Sequence, residues 1–279
     1  MPAKTPELTT IAQTRPIAPW LGGKRNLAKR ICAIIDADAR AGGHNTYAEP
    51  FVGMGGIFLR RTSCPKAEFI NDRQRDVYTL FRILQEHYVA FLDLLRFQIT
   101  TQAGFERLVA VDPETLTDLQ RAARFLFLQR TAFGGKVSGR NFGVSADRPA
   151  RFNLSTLEPD LEALHERLSR VTVMCQDYAA FIDRIDHKDA LFYLDPPYFG
   201  CEGDYGRDLF GRDRFIELAE QLARLKGRFI LSLNDVPEVR EIFGQFQITE
   251  VKTTYSIAAK GAVPKGELVI SNSSASYAA

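Results

Sequence analysis

The chain has 279 residues, a length that suits one large domain or one domain carrying a substantial insertion. Hydrophobic residues make up 45% and charged residues 25%, the averages of a globular protein, which excludes a disordered chain. Lys and Arg number 36 against 34 Asp and Glu, so the net charge of +2 does not argue for nucleic acid, and a basic surface has to come from local clustering.

Cys32, Cys64, Cys175 and Cys201 form no Cys-x-x-Cys pair, which predicts a reduced, cytoplasmic setting. His44, His87, His165 and His187 are equally dispersed, and no catalytic metal is expected. No segment approaches the roughly 20 apolar residues of a membrane span, so neither a transmembrane helix nor a leader is expected. Residues 1–14 and 272–279 read as frayed ends.

In chain order, a helical pattern covers Asn26–Ala41 and a short strand follows at Thr46–Ala48, ending on Glu49. Glu49-Pro50-Phe51-Val52-Gly53-Met54-Gly55-Gly56 then forms a glycine turn that opens a helix at Ile57-Phe58-Leu59. A strand at Ala67–Ile70 ends on Asn71-Asp72, and Arg73–Phe97 is helical. The alternation then breaks. Helices at Thr115–Phe133 and Glu158–Arg170 flank a Gly-rich segment, 134–153. Strands resume at Val171–Cys175, Ala190–Leu194, Phe229–Leu233 and Leu268–Ser271, with helices at Phe215–Leu225 and Pro237–Phe243 between them.

This pattern predicts an α/β fold whose mostly parallel sheet is interrupted by an inserted, mainly helical domain at 78–169; residues 1–77 and 170–279 form the main domain. Ligands in such sheets bind at the carboxyl ends of the strands, which singles out Glu49, Asp72, Asp177 and Asp195. Within 115–151, seven basic residues (Arg121, Arg124, Arg130, Lys136, Arg140, Arg148, Arg151) face only Asp118 and Asp147, an excess of five positive charges.

The sharpest motif is Asp195-Pro196-Pro197-Tyr198 after the apolar strand Leu191–Leu194. Two prolines remove two backbone donors and fix φ near −65°, so the turn presents a carboxylate and carbonyls without competing N–H groups. Such a site accepts both N–H donors of an exocyclic amine, and Tyr198 offers a ring face for a planar base. Gly53 and Gly55 would let the backbone pass close to a nucleoside, with Asp72 placed 19 residues beyond Gly53 for a ribose hydroxyl pair, although G-x-G-x-x-G itself is not met. Leu21-Gly22-Gly23-Lys24-Arg25 lacks the first glycine and the Ser/Thr of a phosphate loop, so an ATPase is not expected.

These pieces, in this order, resemble the Dam-type (D12 class, alpha group) DNA N6-adenine methyltransferases. Pro19 to Lys24 is similar to the family's N-terminal cofactor motif, Glu49 to Gly56 to its S-adenosylmethionine loop, and Asn71-Asp72 to its acidic ribose position. Cys175 to Tyr178 resembles the segment beside the cofactor's adenine, Asp195 to Tyr198 the catalytic tetrapeptide, and Glu267 to Ile270 the last strand. The resemblance implies a Rossmann-like sheet and methyl transfer from S-adenosyl-L-methionine to a flipped-out adenine in double-stranded DNA. It makes Asp195, Pro196, Pro197 and Tyr198 the catalytic group. Trp20, Lys24, Glu49, Pro50, Phe51, Gly53, Gly55, Asp72, Asp177 and Tyr178 become the cofactor contacts.

Arg130 to Gly135 and Arg140 to Val144 are similar to the family's recognition hairpin, which with the basic cluster makes Arg121, Arg124, Arg130, Lys136, Arg140, Asn141 and Arg151 candidates for DNA contact. The loop Gly200–Phe210, with Gly203 and Gly206, is a candidate to order over the base. A restriction system or prophage is the implied context. An RNA-adenine or cytosine-N4 methyltransferase, or a catalytically silent DNA-binding protein of the same fold, stays open as an alternative.

Overall fold

The computed structural model describes residues 8–272 apart from 42, 145, 146, 148, 201–209 and 258–260; for 252–257 and 261–265 it describes the backbone. Arg148, Cys201, Gly203 and Gly206, and with them most of the loop expected to cover the base, lie outside the described residues.

Of the ends expected to fray, residues 1–7 and 273–279 lie outside the described residues, whereas β1 (Thr9–Thr10) pairs antiparallel with β3 (Ser63–Cys64). The principal sheet contains β2 (Thr46–Glu49), β4 (Ala67–Asn71), β5 (Val171–Met174), β6 (Ala190–Leu194), β7 (Arg228–Asn234), β8 (Gln247–Ile257) and β9 (Gly261–Ser271). Their order is β5-β4-β2-β6-β7-β9-β8; β5 to β7 are mutually parallel, and β9 runs antiparallel between β7 and β8. This is a Rossmann-like doubly wound sheet carrying one reversed strand. Its topological switch point lies between β2 and β6, where connections leave in opposite directions and a crevice opens at the strand ends.

The helices are α1 (Ala28–Arg40), α2 (Arg75–Glu86), α3 (Tyr88–Leu95), α4 (Gln102–Ala110), α5 (Asp118–Thr131), α6 (Leu154–Leu168), α7 (Tyr178–Ile185), α8 (Asp213–Ala223) and α9 (Pro237–Ile242). The single helix expected over 73–97 is split at His87, whose φ of −133° leaves helical space. The helix expected at Ile57 is only a 3₁₀ turn, Phe58–Arg60, because the chain must turn at once into β3. α6 starts at Asn153, whose side chain caps Ser155 N, so Pro159 falls inside the helix and does not open it. Thr117 and Gln120 close a capping box on α5, which sets its start three residues later than the periodicity suggests.

Strand alternation divides the interior into two cores. Tyr47, Ile70, Leu191 and Tyr193 face one side with residues of α1, α2, α3, α5 and α6; Ala48, Phe192 and Leu194 face the other with α7, α8 and α9. The expected boundary at 77/78 therefore falls inside α2. Phe125, Leu128 and Leu161 of the inserted segment share a continuous core with the sheet.

Candidate active site at the carboxyl edge of the sheet

Asp195 leaves the C-terminal end of β6, and its Oδ1 accepts from Lys24 Nζ at 2.6 Å and from Ser232 Oγ at 3.3 Å. Oδ2 has no partner among the described residues, and the side chain stays 20% exposed, so one carboxylate oxygen keeps free acceptor capacity. Burial pushes the Asp195 carboxyl above the ordinary carboxylate range; Lys24 pulls against this and Glu267 adds to it. Pro196 and Pro197 follow without a backbone donor. Tyr198 stands beside them, with Lys24 Nζ 2.8 Å from its hydroxyl and 4.4 Å from its ring centre. The resemblance gives Lys24 as a cofactor contact; here its buried ammonium lies between the two ends of the catalytic tetrapeptide.

Two residues not predicted from sequence complete this corner. The Tyr198 hydroxyl donates to Glu267 Oε1. Asn234 Oδ1 accepts from Phe199 N at 2.9 Å, and its Nδ2 donates to Phe199 O at 3.0 Å. Asn234 ends an apolar strand on a polar residue as Glu49 and Asp195 do, and that signal was available; Glu267 gave none beyond its place before the last strand.

The glycine loop follows β2. Gly53 and Gly55 have φ of +50° and +74°, and a Cβ on Gly53 would sit 2.6 Å from Trp20 Nε1, so only glycine fits against that ring. Asp72 Oδ2 accepts from Gly53 N at 2.9 Å and Oδ1 from Gln74 N at 2.8 Å, which leaves a lone pair on each oxygen. Burial raises this carboxyl to about 6 against the help of those two N–H groups. Asn71 ties the loops after β2, β4 and β5 together through Pro50 O, Gln176 O and Gln176 N.

Glu49 is buried and accepts from Tyr47 Oη at 2.6 Å; burial raises its carboxyl to about 8, with Tyr47 and Arg61 opposing. Phe51 and Tyr178 pack with centroids 5.3 Å apart and their planes tilted by 36°, forming an apolar wall beside the loop. These groups suit a nucleoside cofactor: a glycine cradle, a carboxylate with two free lone pairs and an aromatic wall.

Asp177 differs from expectation. Its carboxylate caps α7 through Ala179 N and accepts from Arg73 once and from Arg214 on both oxygens, which fills its acceptor sites. Burial is the largest single influence on its titration, yet Ala179 N–H and Arg214 outweigh it and hold the carboxyl low. Asp177 thus builds the pocket rim, with Arg214 lying 4.5 Å from the Tyr178 ring centre.

Two members of the basic cluster are internal, and others are engaged by neighbouring loops. Arg121 is buried and pairs with Asp76 at 2.5 Å and Glu114 at 2.7 Å. Arg124 is buried on Leu108 O and Val109 O. Arg130 donates to Arg151 O and Ile17 O, and Arg151 to Ala132 O. Arg140 donates to Lys136 O and Gln129 Oε1. Arg121 and Arg124, buried on these partners, act as tertiary cross-links in place of the expected DNA contacts; Arg130, Arg140 and Arg151 tie neighbouring loops together but stay half-exposed. Lys136 and Asn141 remain exposed, on a hairpin closed by the Ala132–Phe142 bridge. Gln129 Nε2 donates to Gly135 O and Pro19 O, which seats the hairpin beside Trp20 at the mouth of the crevice.

Among the described residues, no helix is long and apolar enough to cross a membrane, and no His/Cys/Asp/Glu group could hold a metal.

A doubly wound sheet with a glycine loop on one side of the switch point and a prolyl-stiffened carboxylate on the other defines a nucleoside-cofactor transferase acting on an amine. Residues 20–257 match the family described as D12 class N6 adenine-specific DNA methyltransferase. The type II methyltransferase M.CviBI of Paramecium bursaria Chlorella virus NC1A is 22% identical over 86% of this chain and 91% of its own. The DNA N-6-adenine-methyltransferase of Escherichia phage P1 is 27% identical over 88% of this chain and 34% of its own length, and the DNA adenine methylase of Haemophilus influenzae 25% identical over 88% of each. The chain belongs to the D12 class family and is a DNA adenine-N6 methyltransferase.

Proposed function

We propose that the crevice binds S-adenosyl-L-methionine on the Gly53–Asp72 side and takes an adenine, flipped out of double-stranded DNA, on the Asp195–Tyr198 side. The observation that carries this is that Asp195 Oδ2 has no partner among the described residues while Oδ1 is pinned by Lys24 and Ser232. When bound, the cofactor supplies an electrophilic methyl on a sulfonium sulfur. Asp72 holds the ribose hydroxyls, and Trp20, Phe51 and Tyr178 enclose the purine. Lys24 keeps the tetrapeptide in place instead of touching the cofactor.

The amine nitrogen of adenine is a weak nucleophile because its lone pair is delocalised into the ring. Asp195 Oδ2 and the Pro196 carbonyl would accept its two hydrogens, favour a pyramidal nitrogen and stabilise the positive charge that grows as the carbon–nitrogen bond forms and the methyl carbon–sulfur bond breaks, its electron pair leaving on sulfur as a neutral thioether. The nitrogen then sheds one proton toward the Asp195 carboxylate, whose basicity burial has raised. Tyr198 stacks on the base and offsets part of the few kcal/mol that flipping costs.

Segment 78–169 reads the DNA target, with Lys136 and Asn141 of the hairpin on the duplex, and the enzyme works in the cytoplasm. The relatives named as type II methyltransferases favour a restriction system or prophage as its setting.

Incubated with methyl-labelled cofactor and duplex DNA, the protein transfers label into N6-methyladenine, and single-molecule sequencing of the product maps the target; label in N4-methylcytosine or in RNA alone would refute the reading. Calorimetry tests the cofactor half separately. Ionised Asp72 accepts the ribose hydroxyls, so affinity weakens as pH falls through about 6, and Asp72→Ala removes that pH dependence.

A further inference from the structure

The antiparallel strand β9 places Glu267 directly opposite Asn234 of β7 in the sheet register. Those two residues hold two consecutive residues of the catalytic turn: Asn234 binds both backbone polar groups of Phe199, and Glu267 binds the Tyr198 hydroxyl. Glu267 is 1% exposed and Lys24 2% exposed. A buried carboxylate is costly unless it is paired and hydrogen-bonded. Here the Tyr198 hydroxyl joins it to Lys24, and Lys24 in turn to Asp195. Among the described residues, Lys24 thus stands against two carboxylates around the Tyr198 phenol, at the spot where the base is to enter. Among the described residues, Glu49 from β2, Tyr193 from β6 and Ser232 from β7 are further polar and ionisable groups that act on this cluster.

We propose that Glu267 is a positioning residue for methyl transfer: it anchors the Tyr198 hydroxyl so that the ring stands at a fixed angle to receive the target base, while Asn234 fixes the next residue. The role of Tyr198 as the stacking face rests on the function proposed above; the anchoring by Glu267 does not. Tethered at its hydroxyl and held by the fixed backbone of the next residue, the ring is preorganised, so less ordering remains to be done when the base arrives.

A double-mutant cycle tests this on the full-length protein, with methyl-labelled cofactor and a duplex carrying the mapped target. Glu267→Ala and Tyr198→Phe each lower kcat roughly tenfold, the scale of one hydrogen bond to a charged group. The double variant is no slower than the slower single, and cofactor affinity by calorimetry is unchanged in all three. Glu267→Gln, whose amide oxygen still accepts from Tyr198, recovers part of the loss. Losses that multiply, a wild-type rate in Glu267→Ala, or a matching loss of cofactor affinity would overturn the proposal. If Glu267→Ala melts below the assay temperature, Glu267→Gln with Tyr198→Phe forms the same cycle, and multiplying losses there overturn it equally. With 2-aminopurine in place of the target adenine, wild-type enzyme raises its fluorescence on binding. No rise would refute base flipping while leaving the coupling between Glu267 and Tyr198 to be judged by the cycle.

Discussion

Asp195→Ala is expected to slow methyl transfer by on the order of a thousandfold, the scale of removing a preorganised group aimed at developing charge, with cofactor binding intact. Two effects combine in that loss. The amine nitrogen loses its acceptor at Oδ2, and the proton it must release loses a nearby base. The fold has reason to survive the change: Lys24 would lose its 2.6 Å ion pair but keep the Tyr198 hydroxyl at 2.8 Å and Gly22 O at 3.3 Å. Asp72 and the glycine loop lie on the other side of the switch point and are untouched, so calorimetry should return wild-type affinity for the cofactor. Turnover of labelled cofactor on duplex DNA reduced by less than about tenfold would remove Asp195 from the role assigned here.

Arg121→Ala is expected to act on stability. The variant leaves Asp76 buried without its guanidinium, and breaking a buried pair from one side costs about 3 kcal/mol or more. The Glu114 arm, open to solvent, adds little. In a chain of this size that is a melting temperature lower by roughly 6–12 °C. The salt dependence of DNA binding should stay as in wild type. Lys136→Gln provides the contrast: no loss of stability, and a slope of log K against log salt reduced by about 0.9, the share of one phosphate contact. A changed slope in Arg121→Ala at unchanged stability would return that arginine to the DNA interface.

The two outcomes trace how far the sequence could be read. Strand ends are legible because a buried apolar run must stop where a polar side chain appears, and in a doubly wound sheet that is also where ligands bind. Glu49, Asn71-Asp72 and Asp195 were found in this way, and all lie at the carboxyl edge. The polar, partly solvent-facing strand β8 was not found, because edge strands need no apolar run. The arginines were misjudged for a related reason. A count of charge in a window carries no record of partners, and Arg121 meets Asp76 from 45 residues away.

Local periodicity and two proline-stiffened or glycine-bent turns by themselves determined the α/β class and which polar residues end the strands at the carboxyl edge, because strand burial and turn geometry are set by neighbouring residues. Tertiary structure alone decided that Tyr198 meets Lys24 across 174 residues and Glu267 across 69, that Asp177 commits its oxygens to arginines, and that Arg121 and Arg124 of the basic cluster turn inward. The physical reason is that a buried charge takes whatever partner the packed sheet brings within hydrogen-bond reach, and the order of the strands sets which partner that is.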